Sequence, residues 1–174
     1  SIGALADDEF RHNLTEYAQK NHRKVYLPNG AIGALDLMQT FALMGDVQIE
    51  IGNRKAPKSL EGAPYLKGKT LPADREQIVF TGSVQEAIDG FPKNVNVAVA
   101  AALAADSLKK ATVQITSDPN TTENIHHIVL KNNLMRAELT VAGRPDPANP
   151  KSSTSTAWSV VALLKNLASP IAFF

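Results

Sequence analysis

The chain has 174 residues, and its 18 Lys and Arg against 17 Asp and Glu leave a formal charge of +1. That is the size of about one domain, and so even a charge gives no footing for nucleic acid or a membrane surface, which call for clustered cations. The absence of cysteine excludes disulfides, iron–sulfur clusters and thiolate zinc sites, the four histidines show no metal-ligand spacing, and no apolar run reaches the roughly 20 residues of a membrane helix.

The chain opens without Met in Ser1-Ile2-Gly3-Ala4-Leu5-Ala6, as if cut from a larger protein. Asp7 is a fair cap for a helix over residues 8–20, with Phe10, Leu14, Tyr17 and Ala18 on one face. Lys24 to Leu27 reads as a short strand stopped by Pro28-Asn29-Gly30. Residues 31–44 are apolar nearly all round, the pattern of a buried helix. Val47, Ile49 and Ile51 alternate as in a strand, and the Pro, Gly and Lys of 53–75 suggest a loop. Gln77 to Thr81 reads as a strand, and Ser83 with Glu86 forms a capping box for a helix to Gly90. Another helix is expected over 94–106. Strands follow at 111–116, 125–131 and 135–141, then a Pro-rich connector at 145–150. The chain closes with a helix over 153–167, its apolar stripe on Ala157, Val160, Val161, Leu164 and Leu167. Strands and helices mix without strict alternation, which predicts an α/β fold of the α+β kind: a mixed sheet with helices on one face.

Four segments offer chemistry. Gly30-Ala31-Ile32-Gly33 enters a helix, where free amides and small residues suit an anion or a polar cofactor group, or simply a tight turn. In Phe91-Pro92-Lys93-Asn94-Val95-Asn96, Asn94 suits a cap, while Asn96 lies in an apolar run. A buried amide there needs a partner, and a nicotinamide carboxamide would serve. Asp118-Pro119 leads through a polar loop to His126 and His127, which face opposite ways on a strand; only one can enter a cleft as a proton shuttle, and the spacing does not choose between them. Lys151 and Ser152 precede the last helix, where they suit an anionic substrate group or plain capping.

These blocks resemble one family in order along nearly the whole chain: the L-aspartate dehydrogenases of NAD biosynthesis. The matching segments are Gly3 to Asp7, Leu27-Pro28-Asn29-Gly30-Ala31-Ile32-Gly33-Ala34-Leu35-Asp36, Phe80 to Ala87, Phe91-Pro92-Lys93-Asn94-Val95-Asn96-Val97-Ala98, Asp118-Pro119 with Asn124-Ile125-His126, and Asn149-Pro150-Lys151-Ser152-Ser153. Departures are small: the family often has Gly at Ala34 and Thr at Ser152. The resemblance implies NAD- or NADP-dependent oxidation of L-aspartate to iminoaspartate, then oxaloacetate and ammonia, by a cytoplasmic homodimer. It places the catalytic histidine on His126 and cofactor contacts on Ala31 and Asn96, with Gly30 and Asn94 close by. Lys93, Lys151 and Ser152 become candidates for the substrate carboxylates. It also implies three parts: 1–27 as the end of a Rossmann dinucleotide-binding domain, 28–148 as the catalytic and dimerising domain, and 149–174 as a helix returning to the first. No GxGxxG fingerprint occurs in the chain, so the isolated 174 residues are expected to be inactive. A related amino-acid or hydroxy-acid dehydrogenase and a non-catalytic dimerising fragment are the alternatives.

Overall fold

The computed structural model describes residues 1–146 and 149–173, with the side chains of 149–152 outside the description. Its frame is a five-stranded sheet in the order β2-β3-β1-β4-β5. The strands are β1 (Gln48–Lys55), β2 (Gln77–Ser83), β3 (Thr112–Ser117), β4 (Asn124–Lys131) and β5 (Arg136–Gly143). β1 and β3 run parallel, and the other neighbours are antiparallel, which makes the sheet mixed.

Alternation decides which side of each strand is covered. On β1 the buried positions are Ile49, Ile51, Asn53 and Lys55, and on β4 they are Asn124, His126, Ile128 and Leu130. Helices α2 (Leu35–Met44) and α5 (Asn96–Ala104) pack across that face. α5 is the central cover, since every residue from Val97 to Ala102 is buried. Its small alanines let the helix lie close to the strands and to α2. α3 (Pro57–Leu60) and α4 (Val84–Gly90) complete the layer, and Tyr65, Phe80 and Phe91 form a ring cluster with centroids 5.3–5.6 Å apart beside them.

Several expectations change here. β1 does not stop at Ile51 but runs to Lys55, because its partners on both sides extend as far. Residues 24–27 join no ladder. α2 starts at Leu35, since Ala34 takes a left-handed conformation (φ 56°) that no helix continues through. It is not buried all round: Met38 and Phe41 face the core, while Leu43 is 90% exposed. α5 starts at Asn96, not at 94. Part of the supposed connector pairs as a hairpin, β6 (Pro145–Asp146) against β7 (Asn149–Ser153).

The ends of the chain lie outside the sheet. A 3-10 turn (Ile2–Ala6) leads into α1 (Asp8–Lys20), where Asp7 Oδ1 accepts from the Phe10 amide at 2.7 Å. At the other end α6 (Thr154–Ala168) leaves its stripe uncovered: Val160, Val161, Leu164 and Leu167 are all exposed.

Candidate active site

The buried face of the sheet is apolar along most of its length and becomes polar at one end. Ile49 and Ile51 give way to Asn53 and Lys55 on β1, and Leu130 and Ile128 give way to His126 and Asn124 on β4. Ile115 gives way to Ser117 on β3, which pairs with Lys55. The register sets Asn53 opposite His126, so two strands deliver their polar residues to one place. All five of these polar residues are buried, Lys55 and His126 to 5% exposure.

Asn53 holds His126. The His126 Nδ1 and Asn53 Oδ1 are 2.6 Å apart. An amide oxygen only accepts, so Nδ1–H donates and the lone pair is fixed on Nε2. Burial, and then the charge of Lys55, lower the His126 pKa from 6.5 to about 4, which keeps the ring neutral near pH 7. His127 faces the other way, exposed and 2.8 Å from Thr140 Oγ1.

Lys55 is buried with no carboxylate paired to it among the described residues. Desolvation lowers its pKa from 10.5 to about 8. Its backbone is fixed by the turn that follows β3: the Asp118 amide donates to the Lys55 carbonyl at 2.9 Å, and Asp118 Oδ1 accepts from the Asn120 amide at 2.9 Å. Three buried side-chain atoms of this polar end have no hydrogen-bond partner: Asn53 Nδ2, Ser117 Oγ and Asn124 Oδ1. Such groups are costly to bury unless something satisfies them.

Beside His126 lies a cavity of about 290 Å³, lined by Ala31, Asn124, His126, Gly143 and Arg144 among others. The structure therefore brings Ala31 and His126 to one cavity. Gly30 stands next to it with φ +68°, its amide donating to Ser159 Oγ at 3.0 Å and open space where a Cβ would point. Asn96 is not the buried amide its sequence context suggests. It is the first residue of α5, exposed, with Oδ1 close to Gly3, so solvent can satisfy it. In this segment it is Asn94, two residues earlier, whose amide oxygen is buried without a partner. Lys93 is exposed, and neither it nor Asn94 lines this cavity. The side chains of Lys151 and Ser152 lie outside the described residues.

Sequence reading missed Asn53, Lys55, Ser117 and Asn124. The signal was present on β1: Ile49, Ile51, Asn53 and Lys55 keep one alternation, and only their polarity suggested that the strand had ended.

The family model described as "Aspartate dehydrogenase, C-terminal" matches residues 36–167. The chain belongs to that family. An L-aspartate dehydrogenase of Methanosarcina barkeri is 33% identical over 174 residues, covering 98% of this chain and 64% of that protein. One of Ralstonia nicotianae is 36% identical over 169 residues, covering 97% and 63%. The crystal structure of aspartate dehydrogenase from Thermotoga maritima superposes with a TM-score of 0.79 at 31% identity, covering all of this chain and 66% of that one. The chain thus spans somewhat less than two thirds of the curated relatives it matches. Membership agrees with the mixed sheet and one-sided helical layer described above. Among the described residues no helix is long and apolar enough to cross a membrane, and no cluster of His, Asp and Glu has the makings of a metal site.

Proposed function

We propose that the protein oxidises L-aspartate to iminoaspartate with NAD or NADP, the imine then hydrolysing to oxaloacetate and ammonia. The observation that carries this reading is the neutral, Asn53-oriented imidazole of His126 at a cavity shared with Ala31. Family membership narrows a general acid/base site to an aspartate dehydrogenase.

A nicotinamide group fits the cavity on two observations. Asn124 Oδ1 is a buried acceptor without a partner at the cavity wall, and a carboxamide N–H₂ is a donor. Gly30 leaves its neighbourhood open to a flat group approaching the backbone at Ala31. Ala31, Gly30 and Asn124 would hold the ring end of the cofactor. Asn96, with Asn94 nearby, would serve further along it, as the family resemblance implies. The cofactor supplies the acceptor for the hydride that leaves the substrate Cα.

The remaining work falls to the chain. His126 Nε2, as the bare nitrogen, accepts the proton that the substrate ammonium must lose before C–H cleavage. It passes that proton to solvent and, bare again, takes a proton from the water that adds to the imine carbon and returns it to the departing ammonia. Asn53 accepts from Nδ1–H and so makes Nε2 the nitrogen that takes and gives the proton in both steps. Lys93, Lys151 and Ser152 are further candidates for the substrate carboxylates. The reading includes a cytoplasmic homodimer that feeds NAD biosynthesis, with residues 1–27 as the end of a dinucleotide-binding domain, 28–148 as the catalytic and dimerising domain, and 149–174 as a helix packing back on the first.

Substrate profiling of the intact protein tests the reading. Reduced cofactor should form with L-aspartate, at about 1 turnover per second or more, the usual enzymatic range. L-malate and L-alanine should give at most a small fraction of that rate. A preference for malate moves the protein to the hydroxy-acid dehydrogenases.

A further inference from the structure

At the polar end of the sheet the buried Asp118 is taken up by other groups, its Oδ1 accepting from the Asn120 amide and its Oδ2 lying 3.7 Å from Arg54, and the buried cation Lys55 is left without a carboxylate. Lys55 sits at 5% exposure with no carboxylate partner among the described residues. A lone buried ammonium is one of the most costly groups a fold can carry. Its strand neighbour on the same face, Asn53, has a buried Nδ2 without an acceptor, because its Oδ1 is taken by His126. Its cross-strand partner, Ser117, has a buried hydroxyl without any partner. A cation, an amide N–H₂ and a hydroxyl therefore occupy neighbouring positions on one face of the sheet, and the amide and the hydroxyl are buried without a partner. The group that completes such a set is acceptor-only and carries about one negative charge. A carboxylate has that chemistry: two oxygens, up to four hydrogen bonds and no donor.

We infer that Lys55, with Asn53 Nδ2 and Ser117 Oγ, forms the subsite that binds one carboxylate of the substrate. This rests on the reading of the cavity beside His126 as the amino-acid site. The register carries the geometry: Asn53 lies opposite His126 on β4, while Lys55 lies opposite Ser117 on β3. β1 thus places the anion receptor two residues along the same face from Asn53, the residue that holds the proton acceptor. Lys55 selects for an acid; His126 acts on its amine. Burial lowers the Lys55 pKa to about 8, and an arriving carboxylate raises it.

The probe is succinate, a dicarboxylate without the amine, titrated calorimetrically into the protein at pH 8.5, with succinamide as the uncharged analogue. Succinate should bind and succinamide should not. Binding should draw protons from the buffer, read from the dependence of the heat on buffer ionisation enthalpy, since Lys55 is partly deprotonated there. Lys55→Met, with folding checked by circular dichroism, should bind succinate at least tenfold more weakly and without proton uptake. The proton count in the unaltered protein keeps the test decisive even if the variant misfolds. No succinate binding, binding without proton uptake, or equal affinity in Lys55→Met overturns the subsite. The two readings fail separately. Succinate binding through Lys55 without aspartate oxidation sinks the function and leaves the subsite. Aspartate oxidation with an unchanged KM in Lys55→Met sinks the subsite and leaves the function.

Discussion

The two most perturbed side chains of the protein sit on neighbouring strands, and both shifts come first from burial. Their effects on stability have the same sign and different windows. For His126 the folded pKa of about 4 lies below the unfolded 6.5, so the unfolded chain binds more protons between those values. Stability is full above pH 6.5 and is lost as pH falls toward 4, by about 3 kcal/mol. Urea midpoints measured from pH 7 to pH 4 should fall, and His126→Gln should flatten that part of the curve. For Lys55 the folded pKa of about 8 lies below 10.5, so stability rises from pH 8 to 10.5. Lys55→Met should therefore stabilise the ligand-free protein at pH 7, by about 3 kcal/mol, with the gain fading toward pH 10.5. An unchanged or lower Tm at pH 7 would show that the ammonium has a partner after all. Asn53 acts through the ring it holds. Asn53→Ala should lower kcat about tenfold, part of the hundredfold or more that a positioned acid/base supplies, with KM for aspartate changed less.

Among the elements, the ones legible in the sequence were those fixed by local chemistry. α1 carries its Asp7 cap, and α4 its capping box, in which the Ser83 amide donates to Glu86 Oε2 at 2.8 Å and the Glu86 amide to Ser83 Oγ at 3.2 Å. Ser83→Ala should lower stability by about 1 kcal/mol in a denaturant titration and leave the site unaltered. The opposite faces of His126 and His127 followed from the period of a strand. What local chemistry could not show was tertiary. Asn53 and Lys55 look like loop residues until β3 and β4 are laid beside them. Asn96 looks buried until the start of α5 is seen to fall on it. Leu43 looks like core until α2 is rotated so that Phe41 faces the sheet. That pair can be tested. Phe41→Ala should cost about 3–5 kcal/mol by leaving a cavity, and Leu43→Ser should cost little.

At the scale of the molecule, the sheet and its helical layer form one apolar core, while α1 and α6 stand beside it with their apolar sides little covered. Trp158 is 68% exposed, and Val161 and Leu164 are exposed with it. Between α1 and α6 runs a groove of about 790 Å³, lined by Leu14, Ala18, Leu163 and Leu167 among others. Apolar surface of this extent associates in water. The 174-residue protein should scatter light as a species heavier than 18.7 kDa at rising concentration, and Trp158→Glu with Leu164→Glu should return it to that mass. A monomer at every concentration contradicts this.

The fold brings a base, its orienting amide and an unpaired cation to one end of a sheet, and the account turns on the base. Initial rates of L-aspartate oxidation by the intact protein and by His126→Asn, over a pH series, test it most directly. Asparagine keeps the polarity and bulk of the site and cannot take the proton. The account predicts that kcat falls about a hundredfold or more while the KM for the cofactor stays nearly unchanged. It also predicts that the fall in rate on acidification, which the parent owes to protonation of this ring, is absent from the variant. A His126→Asn protein that keeps its rate to within a few fold contradicts the account and passes the proton to another group.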